Sequence, residues 1–372
     1  MNTSSRALAR TLLPLLLPLA ATPALAQSSV ELYGIVDIGL MTQSRSGTDG
    51  RLTTVASSGY RQSEWGLRGK EKLDGDLTAF FNLESHFQMD TGALAGTGDS
   101  AGTGTVLFRR QANLGLSGSW GSVTLGRQYG PALLAHLGTE PRIFKEQFSN
   151  IYMFAYNQYA ATLGPIPAGT NNNNDVGIFM KNAVQYRNTW GPVTLGVAYA
   201  PGEVAGSTSR GSNFATGLTY KGPLELSFSS QHMKDAGTGA MLVKHFGYGA
   251  ALPVGAFTLK ANYLTVKNDS PASVAVSDVR GLGLGVDWDW SPVNKLTLAY
   301  YHNKDRINSS DATRNVVISN DYSLSKRTIL YIQGAYVDAK AGATLKTSIV
   351  AAGIPAQNAK TNLLNIGINH TF

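Results

Sequence analysis

Six histidines, His86, His136, His232, His245, His302 and His370, are the residues best suited to acid–base or metal chemistry in this chain of 372 residues. They are scattered, and no pair has the H-x3-H spacing of a metal site. Cysteine is absent, so neither a disulfide framework nor a thiolate site is available. No G-x-S-x-G elbow occurs, and Gly102-Thr103-Gly104 and Gly281-Leu282-Gly283 are not followed by helical patterns that would make them nucleotide loops. What remains is fixed charge. Charged side chains along a narrow aqueous path attract one sign of solute and repel the other, because the low-dielectric wall focuses their field on that path.

Which charges could share such a path follows from the period of two in a strand. Ser63, Trp65 and Leu67 form one face, leaving Gln62, Glu64, Gly66, Arg68 and Lys70 on the other. Ile178, Met180, Val184 and Tyr186 read as an apolar face, with Phe179, Lys181, Gln185 and Arg187 opposite. Around Phe108, Leu114 and Leu116 the same parity puts Arg109, Gln111 and Asn113 together. A bulge would reverse any of these assignments.

The elements that position these residues announce themselves at the end of the chain. Leu364, Ile366, Ile368, His370 and Phe372 fall on one face of a strand, and Leu363, Asn365, Gly367, Asn369 and Thr371 on the other. An apolar face, a small or polar face and an aromatic carboxyl terminus suit the closing strand of a membrane barrel. At the other end, Arg6 and Arg10 precede an apolar stretch from Leu12 to Leu19 and an Ala24-Leu25-Ala26 site. That is the pattern of a cleaved secretory signal peptide over residues 1–26. It leaves a barrel domain of 346 residues over 27–372. No later segment supplies the ~18 uninterrupted apolar residues of a spanning helix, so a membrane-resident chain must cross with strands.

Between the ends, very short turns alternate with long polar loops. The short turns are Lys72-Leu73-Asp74-Gly75, Gly118-Ser119-Trp120-Gly121, Trp190-Gly191-Pro192, Lys221-Gly222-Pro223, Pro253-Val254-Gly255, Ser291-Pro292-Val293-Asn294 and Ser325-Lys326-Arg327. These are tight-turn compositions. Seven turns bracket eight hairpins, which predicts an all-β, 16-stranded antiparallel transmembrane β-barrel. A barrel of that size encloses water, whereas eight strands would be filled by side chains. Alternation is clean over Leu282, Leu284, Val286, Trp288 and Trp290, and over Leu296, Leu298, Tyr300 and His302. Hydrophobic residues make up 43% of the chain, yet mean hydropathy is −0.09, so they are dispersed. Net charge is +7, or +5 without the leader's two arginines. That balance suits anionic solutes, lipopolysaccharide or nucleic acid without choosing among them; the expectation for the whole chain is no nucleic-acid partner and no cofactor.

Several segments resemble the trimeric general porins of Gram-negative outer membranes, the β-proteobacterial type in particular. They are Ser29-Val30-Glu31-Leu32-Tyr33-Gly34-Ile35-Val36-Asp37, Trp65-Gly66-Leu67-Arg68-Gly69-Lys70-Glu71-Lys72-Leu73, Arg110-Gln111-Ala112-Asn113-Leu114-Gly115-Leu116-Ser117-Gly118, Val123-Thr124-Leu125-Gly126-Arg127-Gln128, Leu324-Ser325-Lys326-Arg327-Thr328 and the Phe372 terminus. The resemblance implies a passive diffusion channel, three barrels per assembly, with the third long loop folded inward as a constriction. By position that loop is residues 131–175. Its length alone is unusual for a structureless connection. Phe144, Phe148, Tyr152, Phe154, Tyr156 and Tyr159 make its middle too apolar to hang in water.

The family motif makes Arg110, not Arg109, the basic residue of the constriction, with Arg127 a further wall charge and Arg68 and Lys181 contributing. Glu140 and Glu146 become the acidic partners on the loop. Two departures weaken a basic cluster, since such porins usually carry Arg where this chain has Glu64 and where Phe179 falls. Outer-membrane lipid and lipopolysaccharide phosphate are the expected surface partners, and small hydrophilic solutes and ions the cargo. An adhesin or receptor using the external loops, or a barrel enzyme with a Ser–His pair on its outer wall, is the alternative.

Overall fold

The structure is a computed structural model that describes residues 28–46, 50–94, 106–155, 177–343 and 358–372. The expected signal peptide lies outside the described residues. From β1 (Ser28–Gln43), β2 (Leu52–Ser57) and β3 (Glu64–Lys72) the chain runs through β4 (Thr78–His86), β5 (Gln111–Gly118), β6 (Gly121–Tyr129), β7 (Phe179–Trp190), β8 (Val193–Ala200), β9 (Asn213–Lys221) and β10 (Glu225–Lys234). It continues with β11 (Met241–Val254), β12 (Phe257–Asp269), β13 (Ala275–Ser291), β14 (Asn294–Asp305), β15 (Ala312–Ser323), β16 (Thr328–Ala339) and β17 (Ala359–Thr371). From β3 onward each strand pairs antiparallel with the next, and β17 returns to pair with β1 from Ile35↔Thr371 to Gln43↔Leu363. Closure joins the first stave to the last, so backbone groups along the wall find partners without water, although among the described residues β2 pairs on one side only, with β1.

Seventeen segments make sixteen staves, because β2 and β3 share one. β2 pairs with the second half of β1 and β3 with the first half. Between them the chain leaves the ladder at Asp37, whose buried carboxylate gathers the detour. The amides of Gly59 (2.9 Å), Tyr60 (3.2 Å) and Arg61 (2.9 Å) donate to it, as do the Tyr331 hydroxyl (2.8 Å) and the Asn369 amide (2.9 Å). The Ser63 hydroxyl fills the gap, accepting from the Asp37 amide at 3.0 Å and donating to its carbonyl at 3.1 Å.

All seven short turns fall where two strands meet. Alternation sets the two faces: Leu364, Ile366, Ile368 and Phe372 are exposed on the outer wall while Asn365 and Asn369 are buried inside. Trp288 and Trp290 likewise face out at the turn end of β13, and Asp287 faces in. The carboxyl terminus is tied down, with the Phe372 amide donating to the Gly34 carbonyl at 3.0 Å. Its ring lies where a Cβ on residue 34 would sit, 2.4 Å from Cζ, which is why that position is glycine.

The parity assignment on β7 fails over part of its length. The β6–β7 ladder slips between Gly126 and Gln128, and Asn182 opposite takes φ +53. Above this bulge Ile178 and Met180 are buried at 3% and 1% exposure instead of facing lipid. Below it Val184 faces out and Gln185 in, as expected.

Candidate functional site

The segment from Pro131 to Ala155 carries two short helices, α1 (Pro131–Leu134) and α2 (Tyr152–Ala155). It is bonded along its length to inward-facing residues of the wall, so it lies inside the barrel. Residues 156–176, with Tyr156 and Tyr159 and the rest of the expected constriction loop, lie outside the described residues. Pro131 seats on the inner wall against Gly217, where a Cβ would lie 1.9 Å from the Pro131 carbonyl oxygen. His136 is wedged between two serines of β10, Nδ1 lying 2.7 Å from Ser227 Oγ and Nε2 2.8 Å from Ser229 Oγ. Burial pushes its imidazole down to about 4, so it is neutral in this seat. Asn150 accepts from Asn303 at 3.1 Å, and Gln147 from Asn365 at 2.6 Å. Phe144, Phe148, Tyr152 and Phe154 are buried against the wall. These four rings of the loop's middle are packed and not left in water.

Glu140 organises this segment. Its Oε2 accepts the amides of Arg142 (2.7 Å) and Phe144 (2.8 Å), and its Oε1 the Tyr301 hydroxyl (2.7 Å). Those bonds let Ile143 and Phe144 hold left-handed backbone (φ +58 and +51) and fix the loop to β14. Arg142 then reaches Gln333 and the Gln147 carbonyl. Lys145 reaches Asp321 at 2.6 Å and sits over the Tyr60 ring. Burial draws the Lys145 ammonium down to about 8, against the pull of Asp321.

Between this segment and the wall lies a cavity of about 840 Å³. On one side it is lined by Arg61, Glu64, Glu84, Arg110 and Tyr129, and on the loop side by Arg142, Lys145 and Glu146. Across from them stand Asp287, Asp289, Lys295 and Asp321. Arg110 is engaged on every nitrogen. Its guanidinium meets Glu84 and Glu64, each at 2.6 Å, and donates to Gln62 and to the Tyr129 hydroxyl. It also stacks over Phe179. Asp287 is held by Lys260 at 2.8 Å and accepts from Thr297 at 2.6 Å. Asp289 pairs with Lys295 at 3.0 Å.

Of the residues expected at the constriction, Glu64, Arg110 and Glu146 line this cavity, and Arg68, Arg127, Glu140 and Lys181 do not. Arg68 pairs with Glu31 at 2.8 Å, and both side chains are about half exposed (47% and 57%). Arg127 stacks on Phe179 and donates to the Arg109 carbonyl. Lys181 sits at the β7 bulge. Arg110, not Arg109, turns inward, because β5 begins only at Gln111 and strand parity does not reach it. Arg109 instead approaches His86 Nδ1 at 3.2 Å. Glu84 was missed from the sequence, although Asn82, Glu84 and His86 share one face of β4 at the strand period. Asp321 gave no signal short of the fold.

The chain matches the model of the Gram-negative porin family over residues 11–342. It is 27% identical to outer membrane porin protein 32 of Delftia acidovorans across 98% of its own length and 99% of the relative's. It is 30% identical to an outer membrane porin protein of Bordetella pertussis over 77% of this chain and 66% of that one. Among solved structures, the anion-selective porin from Comamonas acidovorans superposes with a TM-score of 0.76 at 25% identity, covering 93% of this chain and all of that one. OmpT of Vibrio cholerae in its trimer form shares the fold, with a TM-score of 0.66 at 13% identity over 93% of this chain and 99% of that one. Fold, match and full-length relatives agree: the chain belongs to the Gram-negative porin family, the outer-membrane channels through which solutes diffuse passively.

Proposed function

We propose that this porin passes small hydrophilic solutes and ions down their gradients through a lumen narrowed by the segment over 131–155. The observation that carries the reading is the 840 Å³ cavity, which is walled by charged side chains and sits inside a closed barrel of sixteen staves. Solutes are sorted by size at the gap between loop and wall and by charge along its lining. No step of this transport makes or breaks a covalent bond, so it is not enzymatic. Glu64, Arg110 and Glu146 bias the narrow zone directly, while Arg68, Arg127, Glu140 and Lys181 act at its margins or hold its shape.

Three such barrels associate, as in the trimer form described for the Vibrio protein. Residues 1–26 direct export and are removed. Around the outer wall near the loop ends, Lys304, Arg314 and Lys340 crowd about His302, where lipopolysaccharide phosphates would meet them. Liposome swelling tests the channel. Vesicles carrying the folded protein should swell in isotonic solutions of small sugars, at rates that fall steeply with solute size. Vesicles that stay the same size in every sugar would refute it.

A further inference from the structure

Likeness to an anion-selective relative suggests a lumen that favours anions; the charges in this lumen do not. The strongest cation near the narrow zone, Arg110, is buried between two carboxylates, Glu64 and Glu84, each 2.6 Å away. One guanidinium facing two carboxylates carries a deficit of one positive charge. On the far side Lys145 is paired with Asp321, and Lys295 with Asp289. The cavity is lined by five cationic and six anionic side chains, and Lys260 behind the lining offsets one of the six, Asp287, at 2.8 Å, so the excess negative charge is local to the Glu64–Arg110–Glu84 triad. The remaining loop residues, 156–176, contain a single charged side chain, Asp175, and no Lys or Arg. Nothing in that stretch can restore a positive balance. Arg109 and Arg127 stand behind the lining, bonded to each other through the Arg109 carbonyl.

We infer that this channel does not select anions: the Glu64–Arg110–Glu84 triad discharges its basic side, and among charged solutes it favours small monovalent cations. The inference rests on the diffusion-channel reading above and deepens it by naming the charge class of the cargo. The preference is modest, because one excess charge about 7 Å from the solute path favours a cation and disfavours an anion by roughly threefold each in water, and salt screens it further.

The test is reversal potential in a planar bilayer under a KCl gradient, for the full protein and for Glu64→Gln and Glu84→Gln. The wild type should show a potassium-over-chloride permeability ratio above one. Either substitution leaves Arg110 paired with one carboxylate and cancels the excess negative charge, and should lower that ratio severalfold, by at most about sevenfold before screening. A wild-type ratio well below one overturns the inference while open channels leave the porin reading intact. An unchanged ratio in both variants overturns the role of the triad. Loss of channels in the wild type would instead overturn the diffusion reading itself.

Discussion

Arg110 commits its guanidinium to Glu64, Glu84, Gln62 and Tyr129, all within the barrel. Removing one partner of a buried ion pair costs about 3–5 kcal/mol, since the remaining charges stay buried and uncompensated. Arg110→Met should therefore lower the thermal unfolding temperature and raise cation preference together, measured by differential scanning calorimetry and reversal potential. A variant that melts with the wild type would show that the triad contributes nothing to stability. Lys145 gives a pH dependence. Its ammonium titrates near 8, below its ordinary value, because burial favours the neutral form more than Asp321 favours the charged one. As pH rises through 8 the lumen loses a cation. Cation preference should then climb with a midpoint near that pH, and Lys145→Met should remove the step. A flat profile from pH 7 to 9 would show that Lys145 keeps its charge. The sequence exposed these residues unevenly. Glu64 was legible from strand parity, whereas Arg110 needed a motif, because it precedes its strand. Asp321 meets Lys145 from 176 positions away, a distance local pattern does not cross.

The inward loop is the element on which size exclusion depends. Its length and aromatic content carry the expectation that it folds into the lumen. Its fastenings were not, because they come from Ser227, Ser229, Tyr301, Gln333 and Asn365 on strands far along the chain. Glu140 was expected to act as a field residue, and the structure gives it a second task as the clasp of the loop. Glu140→Ala strands the buried amides of Arg142 and Phe144 and the Tyr301 hydroxyl, each at about 1–3 kcal/mol. The loop should detach on the timescale of channel recording, seen as flickering single-channel current in place of a steady level. A quiet channel of wild-type conductance would show that other contacts suffice to hold it. The β7 bulge marks the limit of parity. Asn182 with positive φ breaks the period of two, and nothing in the local composition announces it.

Across the whole molecule, short turns and long loops were the legible code, and sixteen staves followed from counting them. Less visible was the second stave, interrupted where Asp37 draws the chain inward, because its two halves keep the same outward pattern. Closure depends on the last residue. With Phe372 deleted, the Gly34 amide and carbonyl lose their partners and the β1–β17 seam opens at its end. Refolding into detergent should then yield less heat-resistant barrel on a gel, and equal yields would show that the terminus is dispensable for closure. This porin works as an open, water-filled channel, and single-channel recording across graded KCl concentrations is the decisive measurement. Stepwise openings in groups of three are expected, with conductance rising nearly in proportion to salt. Folded protein that gives no steps, or a current that saturates at low salt as a binding-limited carrier would, contradicts it.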